Sequence, residues 1–187
     1  ERVMIFIDGS NLYHVLSENC ERHDLVFSKF AEKLLHDRRL VRTYYYNIRQ
    51  NPTVNPQANV EQERFLQTLF DTPLLEVRLG VHRRHGDTMV EKGVDVMLAT
   101  DLIVGALHDR YDSAIVVSGD GDFYPAMQVA KDHGKHVEVV AFANNLSPEA
   151  RRVADTSLML TKSYFTGLWT DRRRTRGDSP STKPITA

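Results

Sequence analysis

The run Ala114-Ile115-Val116-Val117-Ser118-Gly119-Asp120-Gly121-Asp122-Phe123 decides how this chain is read. A short apolar, β-branched stretch stops abruptly at two glycines and two aspartates, and a helical pattern follows. Strand, tight acidic turn, then helix is how an open α/β sheet presents a site, because ligands lie beyond the carboxyl ends of parallel strands. Glycine lets the backbone bend and come close to a ligand. The two carboxylates, separated by a single residue, repel each other unless a proton or cation intervenes. A divalent metal is the partner this turn calls for.

A second turn of the same kind opens the chain. Val3-Met4-Ile5-Phe6-Ile7 reads as a fully buried central strand and ends at Asp8-Gly9-Ser10-Asn11. Leu12, Tyr13 and Leu16 then recur at helical spacing, and Ser28 is placed to cap a helix carrying Phe30, Leu34 and Leu35. A second strand covers 40–48, where Tyr44 and Tyr46 alternate with Tyr45. Those rings read as core packing or a dimer contact, with base stacking as the functional alternative. Residues 51–59, with Pro52 and Pro56, read as a loop, 62–70 as a helix and 74–81 as a third strand. The polar, basic stretch 82–88 reads as a surface loop or hairpin, and the almost continuously apolar 93–107 as a buried helix. Beyond the central turn come a helix over 124–133, a strand over 137–142, a helix starting at Ser147-Pro148-Glu149 and a short strand over 156–160. This alternation predicts an α/β/α three-layer sandwich around a mostly parallel sheet. The domain is expected over 1–169, and 170–187 reads as a basic, disordered tail or the start of a linker.

At 187 residues the chain suits one domain with a proper core. Its formal charge of −1 gives no bulk attraction to a polyanion, so nucleic acid must be met by a local patch and metal ions. The single Cys20 excludes an internal disulfide and a cysteine-based zinc site, and fits a reducing, cytoplasmic compartment. No apolar run reaches membrane-spanning length, and no signal-peptide pattern is visible.

Four acids stand out by where they fall. Asp8 closes the first strand; Asp120 and Asp122 close the strand at 114–117. Side by side, those strands would bring the three carboxylates to one sheet edge. Asp95 sits among Val94, Val96, Met97 and Leu98, where an unpaired carboxylate is expensive to bury, so it must face a charge, the helix dipole or the site. Each aspartate also has a plainer reading, Asp8 as a turn residue bonded to its own backbone and Asp95 as a dipole partner. Asp101, six residues after Asp95 and so roughly 120° around the helix, is either an outer ligand or the partner of a basic residue. Such a carboxylate cluster suits Mg²⁺ or Mn²⁺, which can activate water for phosphodiester hydrolysis. Asn11 and Ser118 stand where they can orient that water or a phosphate oxygen, or else simply fix their turns. Arg83, Arg84 and Lys92, with Arg42, Arg49, Arg151 and Arg152, offer a phosphate-gripping footprint or a solvated face. His82-x-x-His85 lacks the further ligands a zinc site needs.

Three stretches resemble the motifs of the NYN domain family, the LabA-like branch of the PIN-like nucleases. They are Ile7-Asp8-Gly9-Ser10-Asn11-Leu12, Lys92-Gly93-Val94-Asp95-Val96 with Leu98 and Asp101, and Ser118-Gly119-Asp120-Gly121-Asp122-Phe123 with Pro125. The likeness runs in order over about residues 3–165, through Gly134 to Val139 and Ala154-Asp155. It implies a Rossmann-like PIN-type fold and a metal-dependent ribonuclease. Asp8, Asp95, Asp120 and Asp122 would be the metal-binding, catalytic acids, with Asn11 and Ser118 beside them. It further implies RNA as partner, a metal-activated water in place of a covalent intermediate, and pairing into a homodimer. Many LabA-like relatives carry a further C-terminal RNA-binding domain, whereas a basic tail follows here.

Rival readings fall on single residues. Gly119-Asp120-Gly121-Asp122 is similar to the last acidic motif of haloacid dehalogenase-type phosphatases, but that chemistry needs a second acid at position 10, which is Ser10. A dinucleotide fold needs three glycines after the first strand, and Asp8-Gly9-Ser10-Asn11 lacks them. A PIN-like RNA-binding scaffold without turnover stays open as the alternative.

Overall fold

A computed structural model describes the backbone of residues 1–85 and 88–170, and side chains over that span outside 81–92. The basic tail expected from 170 onward lies outside the described residues from 171. Chain order gives β1 (Arg2–Asp8), α1 (Gly9–Cys20), α2 (Phe27–Leu35), β2 (Arg39–Ile48), α3 (Pro56–Phe70), β3 (Leu75–His85) and β4 (Thr88–Lys92). Then follow α4 (Val94–Leu107), β5 (Ser113–Val117), a 3-10 turn (Gly121–Phe123), α5 (Tyr124–Asp132), β6 (His136–Phe142), α6 (Pro148–Val153) and β7 (Thr156–Leu160).

The strands form one sheet in the order β4-β3-β2-β1-β5-β6-β7. Neighbours run parallel except β3 and β4, which form the antiparallel hairpin at one edge. Parallel neighbours need helical crossovers, and the right-handed sense of each crossover fixes its face. Moving outward from β1 in both directions therefore covers both faces. Val3, Ile5 and Ile7 pack with α1, α2 and α3, while Met4 and Phe6 pack with α4, α5 and α6. The same period of two divides the tyrosines of β2. Tyr45 is buried in the first layer, and Tyr44 and Tyr46 in the second. The α/β sandwich expected from the sequence is the observed fold.

Three boundaries differ from the sequence reading, each for a local reason. The helix expected over 62–70 begins at Pro56, because Asn55 caps it by accepting from Ala58 N at 3.0 Å and proline suits the first turn. Its first residues are largely exposed and carry no apolar stripe to announce a helix. Ser28 is not a cap; α2 starts at Phe27 after Val26, with no side-chain cap. The first acidic turn is no loop at all. β1 runs directly into α1, and Asp8 is the cap that joins them.

That direct junction needs Gly9. A Cβ there would meet the Tyr45 ring and lie 2.6 Å from the Tyr46 carbonyl oxygen. Alanine would gain about 1 kcal/mol of helix propensity, yet the clash is with main chain in a central strand that cannot step aside. Gly9→Ala should therefore lower stability by about 1–3 kcal/mol, seen as a melting temperature lower by roughly 2–4 °C per kcal/mol. An unchanged melt would show that β2 yields at no cost.

Candidate active site

β1 and β5 lie side by side, with Ile7 opposite Val117, so their carboxyl ends open onto one edge. β2 continues the sheet on one side and β6 on the other, which makes this edge the switch point of the strand order. Asp8 ends β1 and is buried at 6% exposure. One of its oxygens accepts from Asn11 N at 3.1 Å, capping α1, and the other accepts from the Ser118 hydroxyl at 3.0 Å. Ser118 Oγ in turn accepts from Asp120 N at 3.2 Å. Asp120 Oδ1 then accepts from Asp122 N at 2.9 Å and starts the 3-10 turn. Asn11 Oδ1 faces two donors, Gly119 N at 3.5 Å and Asn145 Nδ2 at 3.0 Å. The turns after β1, β5 and β6 are thereby stitched together.

In front of this network is a cleft of about 250 Å³ lined by Asp8, Ser10, Asn11, Ile48, Gly93, Val94, Asp95 and Asp120. Asp95 comes from the exposed first turn of α4, which follows Gly93 in a left-handed conformation. The cleft thus gathers Asp8, Asp95, Asp120 and Asn11 from the residues singled out in the sequence. Ser118 is buried behind Asp8 as a bridge, and Asp122 is exposed on the 3-10 turn, outside the lining. Asp101 points elsewhere, accepting from the Tyr46 hydroxyl at 2.8 Å and pairing with Arg78 Nε at 3.0 Å. Its role as the partner of a basic residue is the one realised. Arg83, Arg84 and Lys92 belong to the β3–β4 hairpin, whose side chains lie outside the described residues. Among the described residues, no three His, Cys, Asp or Glu side chains stand close enough together to hold a metal ion directly.

Sequence reasoning missed two residues here. Asn47 accepts from Ser10 Oγ at 2.9 Å and donates to the Tyr45 hydroxyl at 2.9 Å, tying β2 to the start of α1. Asn145 holds Asn11 from the turn after β6. The available signal was that β6 must also end at this edge once it is parallel to β5.

The electrostatics centre on Asp8. Its carboxyl is pushed up to about 6, chiefly by burial, with the like charges of Asp95 and Asp120 adding to the shift. The bonds from Asn11 N and Ser118 oppose it without cancelling it. At neutral pH this site keeps a carboxylate ionised at the expense of fold stability.

Fold and site together define a doubly wound α/β protein with an acidic cleft at its switch point. The chain belongs to the NYN domain family, whose model matches residues 2–161. That domain is part of a PIN-like nuclease superfamily. LabA, the low amplitude and bright protein of Synechococcus elongatus, is 25% identical over 161 residues, covering 82% of this chain and 81% of LabA. The uncharacterised protein y4oD of Sinorhizobium fredii is 31% identical over 92 residues, 48% of this chain and 42% of that protein's length. The crystal structure of VPA0982, a protein of unknown function from Vibrio parahaemolyticus, superposes with a TM-score of 0.71 at 24% identity, covering 86% of this chain and 93% of that one. Among the described residues no helix is long and apolar enough to cross a membrane.

The Asp8 shift has a definite sign. Its folded value near 6 exceeds the unfolded carboxylate value of about 3.9, so the folded state binds the extra proton and stability falls as pH rises between them. Asp8→Asn can keep the Asn11 bond and let Ser118 accept where it donated. In EDTA at pH 7.5 the variant should be more stable than wild type by about 3 kcal/mol, with the gap closing near pH 4. Denaturant melts across that range check it. A variant less stable at every pH would mean that the charge-assisted cap outweighs the burial of the carboxylate.

Proposed function

We propose that this chain is a divalent-metal-dependent ribonuclease that hydrolyses RNA phosphodiester bonds at the cleft between β1, β5 and α4. The observation that carries this reading is that Asp8, Asp95 and Asp120, from three separate elements, line one cleft whose described lining holds no basic side chain. A phosphodiester enters such a place only together with cations. The donors are hard carboxylate oxygens, which suit Mg²⁺ or Mn²⁺. With no three described acids in direct-ligation range, the ion would be held by one or two carboxylates and its own waters, the usual habit of Mg²⁺. Bound there, it would supply an activated water and stabilise the leaving oxygen.

The chain's own residues divide the remaining work. Asp8 and Asp120 hold the ion from the sheet edge and Asp95 faces them from α4. Asp122, exposed beside Asp120, acts through solvent. Ser118 fixes the Asp8 carboxylate through its hydroxyl. Asn11 and the hairpin residues Arg83, Arg84 and Lys92 bind the RNA backbone, since β4 leads straight into Gly93 and Asp95.

Cleavage of labelled single-stranded and hairpin RNAs in Mn²⁺, Mg²⁺ or EDTA tests the reading, with Asp120→Asn alongside. Cutting should need the metal and fall by about a hundredfold or more in the variant. The variant's melting temperature should hold, because a repelling charge has been removed. RNA binding without cutting under every metal condition would make the protein an RNA-binding scaffold instead.

A further inference from the structure

We infer that Asn145 is a positioning residue that locks the Asn11 amide with its NH₂ toward the cleft, where it donates to a non-bridging phosphate oxygen of RNA. The inference rests on the nuclease reading for its ligand, and on the geometry alone for the orientation. An amide side chain has one accepting and one donating end, and its neighbours decide which end faces where. Gly119 N–H can only donate, so the Asn11 atom facing it is the oxygen. At 3.5 Å that bond is long and holds little by itself. The 3.0 Å bond from Asn145 Nδ2 to the same oxygen is the stronger hold. With both donors on Oδ1, the Asn11 Nδ2 is turned away from them, on a residue that lines the cleft.

Two further observations set Asn145 apart from an ordinary turn residue. Its Oδ1 is buried with no partner among the described residues, a desolvation cost that a turn serving stability alone would avoid. Gly119 also makes room for it, because a Cβ there would lie 2.6 Å from the Asn145 carbonyl carbon. The turn itself is set by main chain, with Asn145 N donating to Phe142 O at 3.2 Å and Ser147 N to Gly119 O at 2.9 Å. The side chain can therefore be removed while the turn is kept.

A double-mutant cycle tests the assignment, using Asn11→Ala, Asn145→Ala and the pair, with KM and kcat measured on a labelled single-stranded RNA. Losing one hydrogen bond to a phosphate should raise KM about tenfold in Asn11→Ala. Asn145→Ala should raise KM nearly as much in the wild-type background and not at all in the Asn11→Ala background. Asn145→Leu, similar in shape but without a donor, should match Asn145→Ala and guards against a packing defect. Additive effects, or a wild-type KM in both Asn145 variants, would overturn the inference. A second readout needs no activity: the Asn11 side-chain NH₂ signals, identified by their loss in Asn11→Ala, should shift and broaden in Asn145→Ala. Unchanged signals would also overturn it. If the wild type neither cuts nor binds RNA, the nuclease reading fails, while the amide spectrum still decides whether Asn145 orients Asn11.

Discussion

The hydrogen bond from Ser118 to Asp8 is the constraint on which the rest of this structure turns. It joins the ends of β1 and β5 at the point where the strand order reverses, and it does so through a carboxylate that is almost wholly buried. Asp8 serves two elements at once, with one oxygen on the first turn of α1 and the other on Ser118. A neutral cap would satisfy the same donors at lower cost, since charge is what burial penalises most. A charged group kept in such a place departs from what stability alone selects, and such departures gather at functional sites.

The surrounding packing gives that carboxylate little freedom. Gly9 lets α1 begin against Tyr45 without an intervening loop, and Asn47 bridges Ser10 to the Tyr45 hydroxyl. Tyr45 is therefore both a core residue of the first layer and a wall behind the site. On the other face Tyr46 is fully buried and donates to Asp101, whose carboxylate also meets Arg78. β2 thus braces the site from both layers, although among the described lining residues it supplies Ile48 and no acid.

What the sequence makes legible follows from which signals are local. Central strands buried on both faces leave continuous apolar runs, so β1 and β5 and the acids at their ends are readable without a structure. The start of α3 is not, because Pro56 to Glu61 has little apolar face and its markers, the Asn55 cap and Pro56, read equally as loop. Asp101 was ambiguous because a helix angle separates it from Asp95 without saying which neighbour it meets; Arg78, from a different strand, decided that. Asn145 was invisible for a similar reason. Its importance depends on β6 lying next to β5, a fact of sheet order, and nothing in the run Ala143 to Ser147 records it. Local chemistry is written in the sequence, and partnerships across the sheet edge are written in the topology.

Charge placement carries the argument one step further. A chain with a formal charge of −1 has nearly as many bases as acids, and several of them pair away from the site. Arg2 pairs with Asp112 at 2.7 Å, Lys131 with Asp155 at 2.9 Å, and Arg38 with Glu138. Among the described residues, no ion pair reaches Asp8 or Asp120; backbone amides and a hydroxyl are their partners. Hydrogen-bond donors can orient such carboxylates, but they carry only partial charges; burial chiefly raises Asp8, and the repulsion from Asp95 and Asp120 still adds to it. A mobile cation removes that repulsion and at the same time reverses the sign of the cleft toward a phosphate. On the nuclease reading, the feature that makes the metal-free fold less stable is the one that suits it to a polyanion by way of an ion, with the basic hairpin residues beside it.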